Sequence, residues 1–193
     1  MTGVFEIADN FVGTVAKHNP LAATHMGITG SDHLMPDYSP DATHSFYRET
    51  ITALGEMEAV VPLNDRERMC KDTFIDASTV SVEQYESRDY LRDINVLFSP
   101  VQSVRSIFDL MPKDSLEAWE NIASRMEKVK DSLSTYQEAL DKGRAEGLVA
   151  SRRQVNGCAD QCAVWAGDRN SPPFFDSMVD AFAACEISDG LLG

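Results

Sequence analysis

Between Thr24 and Pro40 the chain reads THMGITGSDHLMPDYSP, which places His25, Asp32, His33 and Asp37 within a short stretch that also holds two glycines and two prolines. Imidazole and carboxylate side chains this close together are the raw material of a metal site. The spacing argues against one. Zinc sites carried on a helix pair two histidines four residues apart with a glutamate between them, as in His-Glu-x-x-His. The histidines here are His18, His25, His33 and His44; none is followed by Glu and no two lie four apart. A loop rich in Asp and Gly more often builds turns. The expectation is therefore that no metal, cofactor or catalytic group resides in this loop. Instead, Gly27 ends a short helix, Gly30 permits a tight turn, Asp32 and Asp37 accept backbone N–H bonds, and Ser39 caps a helix that Pro40 begins.

Other chemistry is equally sparse. The Gly-Ile-Thr-Gly of this loop lacks the basic surroundings that a nucleic-acid backbone requires. There is no phosphate-binding Gly-x-x-x-x-Gly-Lys, no Gly-x-Gly-x-x-Gly and no Gly-x-Ser-x-Gly. Cys158 and Cys162 stand at i, i+4, which is not the Cys-x-x-Cys spacing of redox or zinc motifs, and reads as two small residues on one helix face. Net charge is −14 over 193 residues, which argues against nucleic acid or an anionic membrane as partner. The N-terminus has no basic region followed by an apolar run, and no stretch approaches a membrane span, so the expected location is the cytoplasm, with the four cysteines reduced.

The elements that must position these residues are helical, because apolar residues recur at three and four. The pattern predicts an all-α, irregular array of about seven to eight helices with short connections and no substantial sheet. The expected helices cover 4–17, 20–27, 40–61, 65–98 and 101–111, then an unbroken helix from Leu116 that Gly143 closes, then a helix capped by Ser151 with Val155, Cys158, Cys162 and Trp165 inward. A last helix carries Phe174, Phe175, Met178, Val179 and Phe182 on one face. Hydrophobic content of 43% suffices for a core.

Three segments carry a resemblance. HNPLAATHMGITGSDHLMPDYSPDA is similar to the opening signature of the bacterial domain of unknown function 885 family. FSPVQSVRSIFDLMP resembles the segment before that family's central long helix, and YQEALDKGRAEGLVASRRQV a later helix–turn–helix segment. Members often carry a proline near the position of residue 128; this chain has none, which favours the unbroken helix. The resemblance implies that residues 1–193 form a single helical domain, the N-terminal part of a longer zinc metallopeptidase-like protein, helping to wall a substrate cleft. The His-Glu-x-x-His helix and its zinc would lie in a C-terminal domain, the chief partner of this one. The other reading is a non-catalytic helical module that docks on a partner. The apolar face of the last helix adds an expectation of self-association through residues 172–187.

Overall fold

The computed structural model describes residues 3–168 and 170–185, and these are all helix and connecting loop. The helices are α1 (Val4–His18), α2 (Pro20–His25), α3 (Pro40–Ala59), α4 (Asp65–Glu86), α5 (Pro100–Leu110), α6 (Leu116–Glu127), α7 (Val129–Ala145), α8 (Arg152–Trp165) and α9 (Phe174–Ala183), with a 3₁₀ turn at Asp89–Leu91. Among the described residues no helix is long and apolar enough to cross a membrane.

Helix starts follow local chemistry. The Asn19 side chain accepts the Ala22 N–H at 3.0 Å and Pro20 opens α2. Asn64 accepts from Glu67 N–H, and Ser151 from Gln154 N–H. Ser99 and Gln102 cap α5 reciprocally, the Ser99 amide donating to Gln102 Oε1 at 3.0 Å.

Two apolar clusters hold the helices. One joins Val4 and Ile7 of α1 to Met57 of α3, with Cys70, Phe74 and Ile75 of α4 against them. Phe11 packs edge-on to Phe74 with ring centroids 5.1 Å apart. The other gathers Leu21 of α2, Ile107 and Phe108 of α5, Met111, Trp119 and Ile122 of α6, and Met178 of α9. Burying each such side chain contributes roughly 1.5–3 kcal/mol. The α9 face folds onto this second cluster: Phe175 meets Phe108 at 5.4 Å and Phe182 meets Trp119 at 5.3 Å, while Val179 stays exposed. Of the 172–187 stretch, residues 186 and 187 lie outside the described residues.

Three expected elements differ. The helix predicted over 65–98 stops at Glu86. Arg88 takes a left-handed conformation (φ 62°), and beyond it the Asn95 side chain accepts the N–H groups of Leu97 and Phe98, a local alternative to helix. The helix predicted from Leu116 onward breaks at Lys128 without a proline. There the Lys128 N–H donates to the Arg125 carbonyl, while its own ammonium takes the Ser124 carbonyl at 3.2 Å. A side chain has entered the i→i−4 ladder, a recognised cause of a kink. The buried stripe of α7 is accordingly Ser132, Tyr136, Ala139 and Gly143. Gly143 thus sits inside α7, which ends at Ala145; Gly147 (φ 77°) makes the left-handed turn after it, and Leu148 N–H reaches back to the Gly143 carbonyl. In α8 Cys158 is buried and donates to the Asn95 carbonyl at 3.1 Å, but Val155 and Cys162 face outward.

Candidate functional site

The 24–40 loop is strapped to α6 and α7 from end to end. Arg125, wholly buried, donates from Nε to the Leu34 carbonyl at 2.9 Å and from Nη2 to the Ser31 carbonyl at 3.0 Å and Thr24 Oγ1 at 3.1 Å. The Thr24 hydroxyl in turn donates to Asp32 Oδ1 at 2.6 Å. Burial lowers the pKa of Arg125 and the Asp32 charge opposes that shift. Further along, Lys128 Nζ donates to the His33 carbonyl at 3.0 Å, Ser132 Oγ to the Pro36 carbonyl at 2.6 Å, and the Tyr38 N–H to Thr135 Oγ1 at 3.0 Å.

The side chains that prompted the metal question are therefore spent or dispersed. Asp32 accepts the Thr24 hydroxyl rather than the expected backbone N–H; Asp37 accepts the Ser39 N–H at 2.8 Å; His25 lines a cavity of about 300 Å³ beside Tyr38 and Asp93. Among the described residues no three His, Cys, Asp or Glu side chains converge as a metal ligand set. Ser39 accepts the Ala42 N–H at 3.2 Å, so it caps α3. Ser39→Ala and Asp37→Ala are each expected to lower stability by roughly 0.5–2 kcal/mol, the usual cost of a lost cap or turn bond, read as a shift in urea midpoint at unchanged slope.

The larger cavity, about 650 Å³, lies elsewhere, between α3, the end of α4, residues 89–94 and the start of α8. Volumes of this order suit small ligands. Its wall is a ladder of tyrosines. Tyr47 of α3 stacks on Tyr85 of α4 with centroids 4.0 Å apart and planes at 21°, and Tyr85 stacks on Tyr90 at 5.3 Å and 4°. The hydroxyls are tied off: Tyr47 donates to Glu86 at 3.1 Å, and Tyr85 shares a hydrogen bond of 2.8 Å with His44 Nδ1. Desolvation raises the pKa of Tyr47 and Tyr90, with Glu86 adding to the first and Tyr85 to the second.

Asp93 lines both this cavity and the smaller one. Its carbonyl accepts the Tyr136 hydroxyl at 2.6 Å, and its carboxylate receives only a long bond of 3.4 Å from Asn95 Nδ2. Although the side chain still reaches solvent, partial desolvation raises its pKa, with the Asp89 charge adding to the shift and the Asn95 bond opposing it. Burial first, and Asp93 second, push the hydroxyls of Tyr38 and Tyr136 well above the ordinary phenol range.

This arrangement escapes a sequence reading that runs one helix over 65–98. On such a helix Tyr85 and Tyr90, five residues apart, point in different directions. They stack because the chain turns at Arg88. The available signal was the break in the apolar stripe between Ala77 and Leu91.

An all-α protein with an aromatic-walled, mixed-charge cavity is the class that fold and site define. The model of a family described as bacterial protein of unknown function (DUF885) matches residues 20–189, and the chain belongs to that family. No curated protein matches it.

Proposed function

We propose that this chain is the non-catalytic, N-terminal helical part of a cytoplasmic, zinc-dependent metallopeptidase-like protein, and that the tyrosine-walled cavity forms part of its substrate-cleft wall. The observation that carries the reading is the cavity itself: about 650 Å³, open to solvent, lined by stacked rings and by polar groups from α3, α4 and Ser151 just before α8. Stacked rings present apolar surface to a ligand chain without being reshaped by it, while Thr43, Ser81 and Gln84 offer hydrogen bonds along the same wall. The zinc, held by a C-terminal domain, would supply Lewis-acid activation of water; the residues described here would bind and orient.

The test is expression of the whole natural reading frame. The expected result is zinc bound per chain and peptide hydrolysis, with Tyr85→Ala lowering kcat/KM by about tenfold, chiefly through KM, as loss of a binding contact does. A frame without a His-Glu-x-x-His helix, or an unchanged kcat/KM in Tyr85→Ala, would overturn the reading.

A second reading, a helical interaction module, is favoured by exposed apolar residues in two connections: Val61 and Leu63 after α3, and Leu97 and Phe98 before α5, the last 84% exposed. Self-association through α9 belongs to this reading, with Val179 at the mouth of an apolar groove between α6 and α9.

A further inference from the structure

The charges around the large cavity are unevenly satisfied. Asp89 and Arg92 both line it and neutralise one another, Arg92 Nη2 lying 2.7 Å from Asp89 Oδ1. At its edge Glu86 accepts from Tyr47, and Arg88 is paired with Glu146 outside. Among the described residues lining the cavity, Asp93 is left as the carboxylate without a cationic partner. Its position is fixed from behind: the Tyr136 hydroxyl holds its carbonyl, and two residues earlier Leu91 is buried with its carbonyl against Gly143 of α7. The Asp93 side chain is exposed and lines the cavity without a cation beside it, so it is available to one that enters. The tyrosine ladder beside it suits the apolar stem of a long side chain.

We propose that this cavity takes the basic side chain of a peptide, lysine or arginine, with Asp93 as counter-ion to its charged head and Tyr47, Tyr85 and Tyr90 alongside its methylene stem. The proposal rests on the reading of the cavity as a peptide-binding wall and adds the class of side chain it accepts. Geometry favours a cation over an anion here. An anionic head would meet Asp93 directly, and the one guanidinium on the wall, Arg92, is already engaged by Asp89. The ligand charge would also relieve the desolvation that raises the Asp93 pKa, since an opposite charge favours the ionised form.

The test uses this chain and two capped pentapeptides, identical except for a central lysine or its uncharged isostere norleucine. Backbone amide shifts followed by NMR locate binding, and titration gives affinity. The lysine peptide is expected to perturb residues 43–50 and 81–94 and to bind about tenfold or more tighter than the norleucine peptide, the range for a charge-assisted hydrogen bond. Asp93→Asn retains the backbone carbonyl that Tyr136 holds and should erase the difference between the peptides. Equal affinities on the unaltered chain overturn the cation preference while leaving a peptide-binding wall standing. A preference that survives Asp93→Asn overturns the role of Asp93. If neither peptide binds, the inference and the cleft-wall reading fall together.

Discussion

Replacing Arg125 with alanine is expected to lower the stability of the chain by about 2–6 kcal/mol, the cost of leaving two buried backbone acceptors unpaired at about 1–3 kcal/mol each. The side chain is wholly buried and its guanidinium serves three acceptors, two of them backbone carbonyls of the 24–40 loop. Its loss leaves the Ser31 and Leu34 carbonyls without that donor, at about 1–3 kcal/mol for each one that stays buried, and removes the donor to Thr24 Oγ1. Arg125→Met restores most of the volume and none of the bonds, so it should recover only the packing part. Arg125→Lys keeps the charge but lacks the planar fork that reaches three acceptors at once, and should fall between. Urea denaturation gives the free energies. Hydrogen exchange locates the damage: the Ile28 and Leu34 amides, bonded to the Ala23 and Ser31 carbonyls, should lose protection before the amides of α1 and α3. A loss under 1 kcal/mol, with the loop amides still protected, would show that the loop holds itself.

That clamp also marks how much the sequence could reveal. The all-α class, the helix starts at Pro20 and Pro40, and the caps at Ser39 and Ser151 were legible because each depends on neighbours within one turn. The structural use of the 24–40 loop was legible too, from Gly27, Asp37 and Ser39. What grips the loop was not. Arg125 is about a hundred residues away in the chain, on a helix whose exposed and buried faces both carry charge, and a buried arginine has no local signature. The kink at Lys128 was hidden for a similar reason: its cause is an ammonium bonding to Ser124 and to the distant His33 carbonyl, where a local reading looks for proline. The tyrosine ladder depends on the turn at Arg88, so extending α4 by twelve residues erased the site. Local chemistry set where helices begin; the left-handed Arg88 follows the end of α4, the side chain of Lys128 marks the end of α6, and the cavity grew at the first of those ends.

Gly143→Ala carries the second large expected effect, and it tests whether the cavity floor is as rigid as its contacts imply. An added Cβ at this position would lie 2.1 Å from the Leu91 carbonyl oxygen, 2.9 Å from that of Leu148 and 3.0 Å from the Leu91 carbonyl carbon. These are backbone atoms, so no rotamer change relieves the clash; either α7 or the 89–94 segment must move. Alanine is a better helix former than glycine by roughly 0.8–1 kcal/mol, which opposes the clash. Overpacking of this kind costs roughly 1–3 kcal/mol and occasionally more, and an approach near 2 Å to backbone belongs at the upper end. The net expectation is a loss of about 2 kcal/mol. Gly55→Ala supplies the control: Gly55 lies mid-helix in α3, exposed, with nothing within 4 Å of its added Cβ. There the propensity gain stands alone and should stabilise by roughly 0.5–1 kcal/mol. Opposite signs for the same substitution in two helices would isolate the Leu91 contact as the cause. Because Leu91 leads directly into Asp93, Gly143→Ala should also shift the amides of residues 89–94 and the Tyr136 hydroxyl contact, while the distant pair Phe11 and Phe74 remains undisturbed. Equal stabilisation by both substitutions would mean that the 89–94 segment yields without cost, and a carboxylate mounted on so soft a support would lose the fixed position that lets it serve as a counter-ion.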